Sequence, residues 1–197
     1  MDTDFIYKKA MDQLKLSLMD AKSFKDSQAN NCYLATSSVD GQPSVRIITI
    51  HEVEDKGLFF LANKNSGKII QVNDNPQVGL CFYWQTLGLQ ATIEGVVEII
   101  DNEVGEALWA KRDHHAKITA WAFDLAEDKM GKDKLDYYKK KTRDNFQESL
   151  PPLAKSWSGF LIRPTRIEFW KNDWRKNKCR DCYQKKGSVW PEFHHNY

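Results

Sequence analysis

The residues of this sequence best suited to chemistry are cations set where an anion has to meet them. Pro43-Ser44-Val45-Arg46-Ile47-Ile48-Thr49-Ile50-His51 is a β-branched run with one arginine early and one histidine at its end. A guanidinium among so many aliphatic side chains needs an anionic partner, because a buried unpaired charge is costly. A carboxylate or a phosphate would satisfy it. Further on, Ser66-Gly67-Lys68 precedes an apolar-periodic stretch that stops at Asn75-Pro76. A serine cap, a glycine and a lysine in the first turn put free backbone N–H groups and a cation together at a helix N-terminus, which suits a phosphate. Short Ser-Gly-Lys matches are common, and taken alone the segment reads first as an ordinary capped crossover helix.

Other candidates carry less. Gln90 is a polar residue entering an apolar strand, and it suits a neighbouring backbone group or a ligand edge equally well. Asp113-His114-His115 has metal-ligand residue types, but adjacent histidines on a helix point in different directions, which favours a solvated face. Cys179 and Cys182 form a lone CxxC without a second ligand pair at zinc spacing, and the terminal His194-His195 pair is discounted. No metal site is expected. Cys32 and Cys81 sit in apolar strand patterns and read as reduced, buried, small hydrophobes.

The elements that must position these residues follow from periodicity. Tyr7, Met11, Leu14, Leu18 and Ala21 share one face of a helix over residues 4–23. Strands are expected at 32–38, 44–51 and 58–62, with turns at Asp40-Gly41 and Asp55-Lys56-Gly57. Two longer strands, 77–84 and 89–100, alternate as a barrel wall does. Helical patterning covers 102–123 with a polar break at 111–115, and a third, charged helix falls within 124–148. Gly159 to Arg163 and Arg166 to Trp170 flank Pro164-Thr165 and read as a closing hairpin. The aromatic-rich C-terminus is expected to pack on this chain or on a partner subunit.

With 197 residues, 41% of them hydrophobic, the chain fits one domain, α+β in class and mainly antiparallel β. A formal net charge of +2 gives no global field for nucleic acid or membrane. Local charge does rise from Lys171 to Lys186, where seven basic residues face only Asp173 and Asp181. No apolar run approaches the roughly 18 residues that cross a bilayer, and Met1-Asp2-Thr3-Asp4 is no signal-peptide start. A cytoplasmic location is therefore expected.

This order of elements, with its residues, resembles the pyridoxamine 5'-phosphate oxidase family, the FMN-binding split β-barrels with peripheral helices, over nearly the full length. The resemblance rests on Leu34-Ala35-Thr36 with residues 40–46, on Asn63 with Ser66-Gly67-Lys68, on Asn75-Pro76 and on Phe82-Tyr83-Trp84. It continues through Gln90 with Glu94-Gly95, Ala120-Trp121-Ala122, Trp157-Ser158-Gly159-Phe160 and Arg166-Ile167-Glu168-Phe169-Trp170. It implies a homodimer with FMN at its interface. Ser66 and Gly67 open the phosphate-binding helix, and Arg46 and Lys68 are assigned to the FMN phosphate. The strand backbone through Arg46, Ile47, Ile48, Thr49, Ile50 and His51, with Leu61 and Ala62, is assigned to the flavin region. Gln90, Trp170 and Arg180 supply further FMN contacts.

Departures concentrate on the substrate side. The family's strand lysine is His51, its substrate-phosphate tyrosine is Leu108, its serine is Ala116, and its arginine is kept as Arg112. The C-terminal arginine and histidine have become Lys176 and Lys178, ahead of the retained Arg180 and Tyr183. A family arginine beside Lys68 is Gly67, and a tyrosine-threonine pair is Leu61-Ala62. The expectation is an FMN-dependent oxidoreductase that takes a small, anionic substrate, held by His51, Arg112, Lys176 and Lys178. The family reaction oxidises pyridoxamine or pyridoxine 5'-phosphate. A phenazine-precursor oxidase or flavin reductase of the same fold is the enzyme alternative, and a non-catalytic flavin- or haem-binding barrel is the other. Strict alternation puts His51 on the face opposite Arg46, so both address one ligand only if the strand twists or ends there.

Overall fold

A computed structural model describes residues 3–126, 132–146, 149–171 and 179–196. They fall into two compact units: Met1–Phe60 with Ile70–Glu98 and Leu161–Tyr197, and Leu61–Ile69 with Ile99–Phe160. Helix α1, Thr3–Ser23, buries Ala10, Met11, Leu14 and Ala21. Strands β1 (Asn31–Ser37), β2 (Pro43–Glu54) and β3 (Gly57–Asn63) form a meander, and α2 (Gly67–Asp74) leads to β4 (Gln77–Trp84) and β5 (Leu89–Ile99). After helices α3 (Asn102–Ala110), α4 (His114–Leu125) and α5 (Lys132–Asn145) come β6 (Trp157–Lys171), β7 (Cys179–Gln184) and β8 (Glu192–Asn196).

The sheet runs β3-β2-β1-β4-β5-β6-β7-β8, and pairing of β3 with β6 closes its first six strands into a barrel, as the resemblance implies. β1 pairs antiparallel with both β2 and β4, Leu34 lying opposite Arg46 on one side and Leu80 on the other. Alternation decides what each strand shows. On β2, Ile48 and Ile50 are buried while Val45 and Ile47 face outward; Tyr33 on β1 and Tyr83 on β4 are exposed likewise. Cys81 shares this outward side, and so it is half-buried rather than the core residue expected; Cys32, one face over, is buried. Gly57 opens β3 at φ 142°, and a Cβ there would sit 2.1 Å from the Ile162 carbonyl oxygen. Only glycine allows the strands to meet so closely.

The closing hairpin is not formed. Residues 157–171 make one continuous strand, with Pro164 buried in its middle. Pro-Thr reads as turn chemistry, but proline breaks a strand only where its missing N–H is needed by the ladder. Here the following Thr165 carbonyl accepts the Lys185 amide at 2.8 Å, and from Arg166 onward the strand pairs with β7. This long strand lies between β5 and β7, and β7, which carries the sheet on to β8, is drawn from a stretch whose charge hides its strand character. Trp190 packs its ring 4.8 Å from Tyr7, so the aromatic terminus does fold onto this chain.

In the second unit, helices break where the polar residues stand. Asp113 caps α4 by accepting from the amides of His115, at 2.8 Å, and Ala116, at 3.2 Å, which gives the aspartate of Asp113-His114-His115 a structural task. Trp109 and Trp121 donate their indole N–H groups to the Pro151 and Pro152 carbonyls, at 2.8 and 2.7 Å. The charged helix α5 falls within the expected 124–148, and Asp124, near the end of α4, accepts from the Ser156 amide at 3.0 Å.

Candidate functional site

In the first unit, β2 carries Arg46 on its inward side, half-buried one turn of the pleat before Ile48. Its guanidinium donates to the Leu34 carbonyl at 3.2 Å, to Thr36 Oγ1 at 2.6 Å and, from the other terminal nitrogen, to Gln71 Oε1 at 3.4 Å. Thr36 in turn donates to Gln71 Oε1, and Gln71 Nε2 donates to Ser44 Oγ at 3.2 Å. Every acceptor is neutral. Burial pulls the Arg46 pKa below its ordinary value, with no carboxylate to oppose it. This is the uncompensated cation that the sequence called for, and the anion it calls for has to come from outside the described residues.

Trp170 and Arg180 are brought together as cross-strand partners on β6 and β7. Unlike Arg46, Arg180 pairs with a carboxylate: Glu168, itself buried, accepts from Arg180 on one oxygen and from Arg166 at 2.7 Å on the other. Gln90 stands opposite Tyr83 on β5 and donates to Thr92 Oγ1 at 3.2 Å, so it bonds a side chain and not the backbone. His51 is half-buried at a register shift between Ile50 and Glu52, where β2 has one residue more than its partner β3. The bulge breaks the strict alternation that separated His51 from Arg46. Ile47 and Thr49 face outward and are exposed, and Thr49 donates its hydroxyl to Asn31 Oδ1 at 2.8 Å.

In the second unit, Leu61 and Ala62 are buried in β3 and bring no polar group. Ser66 stands before α2; its hydroxyl donates to the Asn63 carbonyl at 2.7 Å and accepts from Lys68 Nζ at 3.2 Å. A Cβ on Gly67 would meet nothing within 4 Å, so the missing family arginine leaves open space rather than a filled one. Arg112 follows α3 with its guanidinium 4.3 Å from the Trp157 ring centre and 5.4 Å from that of Trp109. Burial lowers the pKa of Arg112, partly opposed by Asp113. Arg112 Nε and Trp157 Nε1 are both buried donors without an acceptor among the described residues, and buried donors are rarely left so. Leu108 lies in the core, and Ala116 offers only a methyl group.

Lys176 and Lys178 lie outside the described residues. Thr36 and Gln71, which hold Arg46, and Trp109 and Trp157, which lie against Arg112, were not read as site residues. Gln71 had a signal, since it follows Lys68 by three residues and three-apart positions share a helix face. Trp109, three residues before Arg112, had the same kind of signal, whereas only the fold brings Trp157 under Arg112. Among the described residues no group of three or more histidine, cysteine, aspartate or glutamate side chains could hold a metal, and no helix is long and apolar enough to cross a membrane. The FMN that the resemblance implies needs cations for its phosphate, and the uncompensated Arg46 and the Ser66-Lys68 start of α2 fit that need.

The family profile described as pyridoxamine 5'-phosphate oxidase matches residues 21–147. Pyridoxine/pyridoxamine 5'-phosphate oxidase of Cupriavidus necator is 34% identical over 161 residues, covering 82% of this chain and 76% of that protein. The enzyme of that name from Thermosynechococcus vestitus is 31% identical over 182 residues, covering 91% and 85%. Among solved structures, PhzG from Burkholderia lata in complex with tetrahydrophenazine-1-carboxylic acid superposes with a TM-score of 0.85 at 21% identity, over 94% of this chain and 91% of that one. A pyridoxamine 5'-phosphate oxidase-related, FMN-binding protein from Nostoc punctiforme gives 0.73 at 18% identity, over 94% and 95%.

Proposed function

This chain belongs to the pyridoxamine 5'-phosphate oxidase family, and on that premise we propose that it is an FMN-dependent oxidoreductase acting on a small anionic substrate, with oxygen as final acceptor. The observation that carries the reading is Arg46, a half-buried guanidinium whose acceptors are all neutral. Arg46, Lys68 and Ser66 hold the FMN phosphate. The β2 backbone from Arg46 to His51 and the Leu61-Ala62 step flank the flavin, with Gln90, Trp170 and Arg180 as further contacts. When bound, FMN would supply the hydride acceptor for the substrate and the route for electrons to oxygen. The protein's part is to bind and orient both.

Arg112 receives the anionic group of the substrate, and its orphaned Nε and that of Trp157 supply donors for it. His51, Lys176 and Lys178 complete the substrate side. His51 stands where the family has lysine, and unlike lysine it loses its charge near neutral pH. The loss of hydroxyls at Leu108 and Ala116 favours a second reading of the substrate: an aromatic acid of the phenazine-precursor kind in place of a phosphate ester. The chain works as a homodimer in the cytoplasm, with Tyr33, Val45, Ile47 and Tyr83 as the apolar face a second copy covers.

The absorbance spectrum of the purified protein tests the cofactor. A yellow protein, or a colourless one that takes up added FMN, supports the reading; one that takes up none overturns it. Anaerobic mixing with pyridoxamine 5'-phosphate then separates the substrates, since a flavin that stays oxidised excludes the family substrate. Sedimentation tests the assembly: a monomer at micromolar concentration contradicts the dimer.

A further inference from the structure

Arginines on the sheet differ in what holds them. Arg163 pairs with Glu98, Arg166 with Glu94 and Glu168, and Arg180 with Glu168. Arg46 alone of these four has no carboxylate partner among the described residues, yet it is held at three points. Two of the three are the Thr36 hydroxyl and the Gln71 carboxamide oxygen, which are also bonded to each other. Gln71 is further anchored by its amide nitrogen on Ser44. The amide orientation follows from this network: its oxygen faces two donors, and its nitrogen faces a hydroxyl that can accept.

A carboxylate at position 71 would make a charge-assisted bond to the guanidinium and cancel much of its attraction for another anion. A carboxamide fixes the same geometry and leaves the charge intact. We propose that Gln71, with Thr36, is a positioning residue that aims Arg46 without neutralising it, and that this choice of amide over acid sets the preference of the site for a phosphorylated flavin over its dephosphorylated form. The inference rests on the reading of Arg46 as the phosphate-binding cation. A purely structural Gln71 would affect both flavins alike; a positioning Gln71 affects the one with the phosphate.

The test is fluorescence titration of flavin-free protein with FMN and with riboflavin, for wild type, Gln71→Glu and Thr36→Val. Gln71→Glu differs from wild type by one terminal group and keeps the bond to Arg46, so the variant is expected to fold with unchanged circular dichroism and undiminished thermal stability. Its FMN affinity is expected to fall by about tenfold or more, with riboflavin affinity within about twofold of wild type. Thr36→Val, which removes one of the three anchors, is expected to lose FMN affinity to a smaller degree in the same selective way. A Gln71→Glu protein with the wild-type FMN-to-riboflavin ratio overturns the inference while leaving FMN binding intact. A wild type that binds FMN no better than riboflavin overturns the reading of Arg46 and this inference with it.

Discussion

At the scale of single residues, the chemistry divides by what each arginine touches. Arg46 was legible in the sequence because a guanidinium in a β-branched strand raises a definite question, and the structure answers it with three neutral acceptors. Arg112 was named only through the resemblance. What the sequence did not disclose is that Trp157 lies under it beside the nearby Trp109, since residues 45 apart meet only through the fold. A cation over an indole gains about 1 kcal/mol when partly desolvated. Trp157→Leu is accordingly expected to raise KM for the anionic substrate about fivefold, with kcat changed less and FMN affinity unchanged. Steady-state kinetics on the flavin-loaded protein measures this, and an equal loss of FMN binding would point to collapse of the unit instead.

Elements were mostly legible where hydrophobic period and turn chemistry agreed, as in β4, whose limits match the reading at both ends. They were misread where a local signal was overruled by the sheet. Pro164-Thr165 looks like a turn but lies in a strand that needs no donor from the proline, and the basic stretch before Trp190 hides a strand, β7, whose pairing is set by neighbours rather than by its own hydrophobicity. His51 is a subtler case: strict alternation gave its face, and the register shift beside it is where that alternation stops applying. Helix α2 permits a direct test of how much cofactor affinity was given up. Gly67→Arg enters open space at the first position of the helix. Replacing glycine favours the helix, whereas a cation at its N-terminus opposes the dipole, each by roughly 0.5–1 kcal/mol. These nearly cancel in the flavin-free protein, where the melting temperature is expected to stay put. With FMN the added cation meets the phosphate, and affinity is expected to rise about fivefold; a titration with no gain would place the phosphate elsewhere.

For the molecule as a whole, α1 and the C-terminal segment are joined at Tyr7 and Trp190, and burial pushes the Tyr7 hydroxyl up to about 12 from an ordinary 10.0. The sign follows: above pH 10 the unfolded chain ionises this tyrosine while the folded chain still holds its proton. Stability is therefore full below about pH 10 and is lost between 10 and 12. Tyr183 is raised as well and adds to the same alkaline loss. Melting temperatures across this interval are expected to fall less steeply in Tyr7→Phe than in wild type, and parallel curves would exclude Tyr7 as a cause. The larger claim is that the barrel holds FMN by its phosphate through Arg46. Titration of the flavin-free protein with FMN, beside Arg46→Gln, tests it most directly. Saturable, stoichiometric binding that weakens by about tenfold or more in Arg46→Gln, with riboflavin affinity little altered, is the predicted result; no binding, or equal binding by both proteins, would contradict it.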